Sequence, residues 1–270
     1  MKYRTLGKNT KMPMLGFGTW RLSGEVAFAT VKHALAVGYR HIDTAAIYGN
    51  HQEVGRAMAE SGIARKEIFI TSKVWWDQLR YGDVRVACRQ ALCELQIEYL
   101  DLYLIHWPNR AIPMSETLSA LESLKKDGYI RAIGVSNFDI SHLKEALATG
   151  VKIVINQVEF HPSFNQKELK KFCDQQDIAI TAYSPIGQGK DLELTVVKNI
   201  AKKYTRSPSQ VILNWLISKN IIAIPRSSQF SRIADNFKAL EWKMKQEDVD
   251  RIDSITIHER ILHPPFAEFE

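Results

Sequence analysis

Four side chains of this chain can make a proton-transfer set: Asp43, Tyr48, Lys73 and His106. Asp43 closes a short apolar stretch, and Tyr48 follows in a loop of small residues with Ala45, Ala46 and Gly49. Lys73 ends the run Ile68-Phe69-Ile70-Thr71-Ser72, with Val74, Trp75 and Trp76 beyond it. His106 ends Tyr103-Leu104-Ile105. A lone carboxylate or ammonium in apolar surroundings is costly, so Asp43 and Lys73 are expected to pair. An ammonium beside a phenol favours tyrosinate, and Tyr48 is therefore expected to titrate below the usual value of about 10. A tyrosine made acidic in this way, beside an imidazole donor, suits protonation of an oxygen that gains negative charge.

These four must be brought together by elements that are far apart in the chain. Apolar strand-like runs at 15–19, 41–43, 68–73, 100–106, 130–136, 154–158, 179–184 and 221–225 alternate with amphipathic stretches. The stretches lie near 25–37, 51–60, 83–96, 115–127, 140–148, 166–175 and 208–219, and a further helix start follows 225–228. Eight strand–helix units in one chain of 270 residues predict an α/β fold, a closed (β/α)8 barrel rather than an open doubly wound sheet. Residues 1–14 read as an N-terminal β-hairpin with a Gly7-Lys8-Asn9 turn, and 191–203 and 246–254 as two extra helices. No linker or composition break divides 1–270, so a single domain is expected. In such a barrel the C-terminal strand ends carry the site. Those ends hold Gly18, Thr19, Trp20, Ser136, Asn137, Gln157, Tyr183, Ser184 and 225–228 besides the four residues above.

Composition narrows the function classes. With 45% apolar and 24% charged residues, the chain has the material for a packed core and no disorder signature. Its net charge of +6 suits an anionic ligand. The basic residues are spread along the helices without a dense run or an RNA-reading motif, so no nucleic acid is expected as a partner. Cys88, Cys93 and Cys173 form no CxxC and read as free thiols of a reducing compartment. No run has membrane-spanning length and no signal peptide is evident; a cytoplasmic protein is expected, with no membrane partner and no metal.

Protonating a developing alkoxide requires a hydride at carbon, which no side chain supplies, so a redox cofactor is required. The Rossmann fingerprint is absent, since Arg21 stands where the third glycine after Gly16 and Gly18 would be, and there is no P-loop. Instead Ile224-Pro225-Arg226-Ser227-Ser228-Gln229-Phe230-Ser231-Arg232 sets two arginines and several hydroxyls around a helix start, which suits a monophosphate.

The segments GYRHIDTAAIYGN (38–50), ITSKVW (70–75), LIHWP (104–108), GVSNF (134–138), NQVEFHP (156–162), YSPIG (183–187) and IPRS (224–227) resemble the aldo-keto reductases over essentially the whole chain. The resemblance implies a reductase in which Tyr48 is the general acid, Lys73 and Asp43 support it, and His106 orients the carbonyl. It implies NADPH/NADP+ as cofactor, with the nicotinamide stacked on Tyr183 and its carboxamide held by Ser136, Asn137 and Gln157. Gly18, Thr19, Trp20 and Asp43 would border it. The pyrophosphate would run past Ser184, Pro185, Ile186 and Gly187. Arg226, Ser227 and Arg232 would hold the 2′-phosphate, with Asn236 near the adenine, and Ile224, Pro225, Ser228 and Asp235 would also contact the cofactor. Trp20, Tyr48, Trp75, His106, Trp107 and Phe138 would line an aromatic substrate pocket.

The chain departs from the family pattern in places. Arg226 stands where the family commonly has lysine, keeping the charge but changing the geometry toward phosphate. Asp235 replaces the usual glutamate, and the segment after Ile255 and the loop after Pro108 are short. These features look like the compact bacterial members grouped with 2,5-diketo-D-gluconate and methylglyoxal reductases. Small aldehydes, 2-oxoaldehydes and keto-sugars are then the expected substrates, and a monomer the expected state. Two rival classes are a non-catalytic NADPH-binding barrel that reports redox state to a partner, and an aldolase-type barrel using Lys73 as a Schiff base.

Overall fold

A computed structural model of the chain describes residues 1–7 and 10–269. Strands β1 (Tyr3–Leu6) and β2 (Thr10–Pro13) pair antiparallel, Tyr3 opposite Pro13 and Leu6 opposite Thr10. Lys8 and Asn9 of the expected turn lie outside the described residues.

The remaining strands are all parallel: β3 (Phe17–Gly18), β4 (His41–Asp43), β5 (Phe69–Val74), β6 (Leu102–Ile105), β7 (Ile133–Ser136), β8 (Ile155–Glu159), β9 (Ala179–Tyr183) and β10 (Ile222–Ala223). They are hydrogen-bonded in sequence order from β3 to β10. The two ends of this ribbon then meet. Gly16 N–H donates to Ala223 O at 2.9 Å, Ala223 N–H to Met14 O at 3.0 Å and Gly18 N–H to Pro225 O at 3.0 Å, with Leu15 opposite Ala223. The seam is tight. A Cβ at Gly18 would stand 2.9 Å from the Ile224 carbonyl oxygen, so a side chain there would force the first and last strands apart.

Each strand but the last two hands over to one helix: α1 (Gly24–Val37), α2 (His51–Ala59), α3 (Tyr81–Leu95), α4 (Met114–Lys126), α5 (Ile140–Ala148) and α6 (Lys167–Gln175). Two helices, α7 (Thr195–Tyr204) and α8 (Pro208–Ser218), separate β9 from β10, and α9 (Phe230–Phe237) and α10 (Gln246–Asp253) complete the chain. Thus α7 and α10 are the two expected extra helices. The helices form an outer ring in which α1 packs on both α2 and α9. Local chemistry sets several starts. Ser207 Oγ accepts from Gln210 N–H ahead of Pro208, and Asp139 accepts from His142 N–H at the start of α5.

Apolar residues from strands and helices make one continuous core, and Cys88 and Cys173 are buried in it as free thiols while Cys93 is exposed. The pleat decides what faces the barrel interior. Ser72 Oγ lies 3.0 Å from His51 Nε2 on α2 and so points outward, which turns its neighbours Thr71 and Lys73 inward.

Candidate active site

The C-terminal strand ends bring Asp43, Tyr48, Lys73 and His106 together. Lys73 is fully buried and Asp43 is 2% exposed. All three ammonium protons of Lys73 have an acceptor: Asp43 Oδ1 at 2.6 Å, Thr44 O at 2.9 Å and Tyr48 OH at 3.3 Å. The other Asp43 oxygen, Oδ2, accepts from Gln157 Nε2 at 2.7 Å. Both Asp43 oxygens are thus engaged, and its part is to aim the lysine. Tyr48 is carried there by a short 3-10 turn, Ala46–Tyr48, closed by Gly49 in the left-handed region. Its hydroxyl oxygen takes a hydrogen bond from Lys73, and the phenolic proton has no acceptor among the described residues.

The expected depression of the Tyr48 pKa is corrected by the structure. Burial pushes the phenol well above its ordinary value, and the Asp43 charge adds to the rise. The lysine cannot reverse this, because its charge is already met by Asp43. Burial also lowers the Lys73 pKa, with the Asp43 carboxylate opposing that fall. His106 is held well below the ordinary imidazole value, first by burial and then by the Lys73 charge, so it is neutral. Its Nδ1 is buried without a hydrogen-bond partner. The resting site thus holds a protonated phenol, a neutral imidazole and a paired ammonium. As a proton leaves Tyr48, the ammonium 3.3 Å away stabilises the phenolate that forms.

Around this set a second group of polar side chains is interlocked. Asn137 has φ +62°, the left-handed conformation that asparagine tolerates better than most residues. This aims its amide at His106 O (3.0 Å) and Ser136 Oγ (3.1 Å), while its oxygen accepts from Tyr183 OH at 2.8 Å. Ser136 Oγ donates to Gln157 O at 2.8 Å. Thr19 Oγ1 donates to Asp43 O at 3.0 Å, and Trp20 is partly exposed with the Arg21 guanidinium 4.3 Å from its ring centroid. Ser184 (φ +46°), Pro185 and Ile186 lead into a 3-10 segment, Gly187–Glu193.

At the far side Ile224 and Pro225 are buried at the seam, while Arg226, Ser228 and Arg232 are exposed around the start of α9. Neither arginine has a carboxylate partner among the described residues. Ser227 Oγ accepts from Gln229 N–H at 3.0 Å. Asp235 accepts from Ser207 Oγ and Gln210 Nε2, and Asn236 from Ser209 Oγ, so both are tied to α8. The polar groups of the mouth and the unpartnered arginines at its edge fit the two ends of a phosphorylated dinucleotide.

The aromatic residues expected around the substrate do not all stand together. Trp75 stands edge-on to His106 with ring centroids 5.1 Å apart, as does Tyr48 at 5.6 Å. Phe138 stands apart: it is 1% exposed in the apolar core, with its ring against His142. Phe266, from the C-terminal segment, instead meets Trp75 at 5.5 Å and Trp107 at 5.6 Å and stacks on Trp76 at 5.1 Å. Sequence reasoning missed Phe266 and Trp76. It also assigned no role to Glu159, although an acid between Val158 and Phe160 raises the same question as Asp43.

The model of the Aldo/keto reductase family matches residues 14–257. Glyoxal reductase of Bacillus subtilis is 45% identical over 258 residues, 95% of this chain and 93% of that protein. The 9,11-endoperoxide prostaglandin H2 reductase of Trypanosoma cruzi is 42% identical over 266 residues, 97% of this chain and 94% of its own. The crystal structure of an aldo-keto reductase from a Medee basin deep-sea metagenome library superposes with a TM-score of 0.93 at 37% identity, covering 96% of both chains. The chain belongs to the aldo/keto reductase family. It is an oxidoreductase of carbonyl compounds with a (β/α)8 barrel, and its family draws hydride from a nicotinamide cofactor.

Proposed function

We propose that the chain is an NADPH-dependent reductase of small aldehydes and 2-oxoaldehydes, acting as a cytoplasmic monomer. The observation that carries the reaction is the orientation of Tyr48: its oxygen is occupied by the Lys73 ammonium, which leaves the phenolic proton for an incoming carbonyl oxygen. Burial keeps that proton in place until a base appears, and the developing alkoxide is that base. NADPH, when bound, supplies hydride to the carbonyl carbon.

Every other task falls to the chain. Neutral His106, edge-on to Tyr48 and Trp75, presents a hydrogen-bond donor to the same oxygen without competing for its proton. Ser136, Asn137 and Gln157 would hold the cofactor's carboxamide beside the Tyr183 ring, and the stretch 184–187 would take its pyrophosphate. Arg226 and Arg232, exposed and without carboxylates, select the 2′-phosphate. Gly18, Thr19, Trp20, Ile224, Pro225, Ser227 and Ser228 border the bound dinucleotide, with Asp235 and Asn236 at its adenine end. Trp20, Trp75, Trp107 and Phe266 make an apolar mouth for the substrate. The similarity to glyoxal reductase supports 2-oxoaldehydes as the substrate class.

The test is consumption of NADPH with glyoxal, methylglyoxal and 4-nitrobenzaldehyde. Turnover with kcat/KM highest for a dicarbonyl is expected; tight NADPH binding without turnover of any carbonyl would refute the enzyme assignment.

A further inference from the structure

Glu159 ends β8 with a carboxylate that has no exposed surface. Its Oε1 accepts from His161 Nε2 at 3.0 Å and from the backbone N–H of Ile261 at 2.7 Å, and its Oε2 accepts from the N–H of Leu262 at 2.9 Å. Two of its three donors therefore belong to the C-terminal segment, which has no helix or strand of its own beyond α10. That segment carries Phe266 onto Trp75, Trp76 and Trp107, and Trp75 in turn stands against His106. A buried carboxylate that loses its donors is strongly penalised, so Glu159 favours the seated tail over the released one.

The same imidazole reaches the other way. His161 Nδ1 lies 2.8 Å from Asp191 Oδ2, a carboxylate that is 2% exposed and also accepts from Ser163 N–H at 2.9 Å. Asp191 belongs to the Gly187–Glu193 segment, which directly continues the 183–187 stretch. The segment is packed down hard. A Cβ at Gly187, which has φ +59°, would lie 2.8 Å from the Asp191 carboxylate. A second tie joins the same two segments, since Ser163 O accepts from Glu259 N–H at 2.8 Å and the Lys190 ammonium meets Glu259.

We infer that Glu159 is a positioning residue which seats the C-terminal segment over the catalytic mouth, and that the Asp191–His161–Glu159 relay links this seating to the 187–193 segment beside the proposed cofactor path. The coupling rests on the proposed cofactor path along 183–187; the seating rests on the hydrogen bonds alone. A cofactor held against Gly187 then reinforces the position of Asp191, which orients the imidazole, and the imidazole orients the carboxylate that holds residues 261 and 262.

The experiment is hydrogen exchange of residues 256–269 with and without saturating NADPH, beside an independent fluorescence titration of NADPH. Exchange in this segment is expected to slow by about tenfold when NADPH binds. Glu159→Gln is expected to abolish that difference and to raise the carbonyl KM by about tenfold, the effect of losing one charge-assisted hydrogen bond, with kcat nearly unchanged and NADPH still saturating. Ile261→Pro removes one donor from the tail side, leaves the barrel sequence intact and is expected to do the same. Saturable NADPH binding with unchanged tail exchange overturns the coupling. Wild-type KM in both variants overturns the seating. Absence of NADPH binding in the titration overturns the cofactor assignment and the coupling with it.

Discussion

The Tyr48 hydroxyl accepts a 3.3 Å hydrogen bond from the Lys73 ammonium, and this contact orients the phenolic proton. A phenol whose oxygen is occupied in this way can only donate outward. Tyr48→Phe is therefore expected to lower turnover by about two to four orders of magnitude while NADPH binding persists. Stopped-flow turnover and a fluorescence titration check it, and near-normal rates would refute Tyr48 as the acid.

The lysine and its carboxylate are both buried, so breaking the pair from one side exposes the other to an uncompensated cost. Asp43→Ala is expected to destabilise the fold by about 3–5 kcal/mol. Lys73→Met made in the same chain should recover most of the loss. Urea unfolding of the single and double variants measures both; equal stability of Asp43→Ala and wild type would mean the pair is solvated.

Arg232→Ala is expected to weaken NADPH binding by roughly tenfold to a hundredfold, the range of one lost charged hydrogen bond. NADH, which lacks the 2′-phosphate, should be nearly unaffected. Equal losses for the two cofactors would place the phosphate elsewhere.

Phe266 is the tail's contact with three tryptophans. Phe266→Ala should raise KM for 4-nitrobenzaldehyde by about threefold to tenfold, an aromatic contact's share, and leave that for methylglyoxal nearly unchanged. Steady-state kinetics on the two substrates decides it.

The His161 pKa lies above the ordinary imidazole value: burial opposes its charge, but hydrogen bonds and charges from Asp191 and Glu159 outweigh burial. Those two carboxylates and Phe164 face it, and Arg260 and His258 pack on the Phe164 ring. Because the folded pKa is raised, this stabilisation is complete below the unfolded value and is lost as pH rises through the folded one. Asp191 is shifted downward: burial opposes ionisation, but the His161 and Ser163 hydrogen bonds prevail, so its share is lost as pH falls through its folded pKa. His161→Gln is expected to cost most stability at mildly acidic pH and progressively less toward alkaline pH. Denaturant unfolding of both proteins across that range measures the difference, and a constant gap would mean the imidazole stays neutral.

The periodic alternation of apolar runs and amphipathic stretches determined the barrel, because a strand buried on both faces must be apolar and its covering helix must not be. The cost of burying charge likewise determined that Asp43 and Lys73 would meet, since neither could be buried alone. What those rules could not supply is the direction of competing effects at one point. Lys73 and Asp43 stand on opposite sides of the same proton balance, and only their distances and the burial of Tyr48 show that the phenol is pushed up rather than down. Nor could periodicity place the tail. Residues 256–269 have no regular structure, so nothing in their order says that Phe266 reaches Trp75 or that Ile261 and Leu262 lend their backbone to Glu159. Those contacts join positions more than a hundred residues apart, those to Glu159 through backbone groups that every residue shares, and tertiary structure alone decided them.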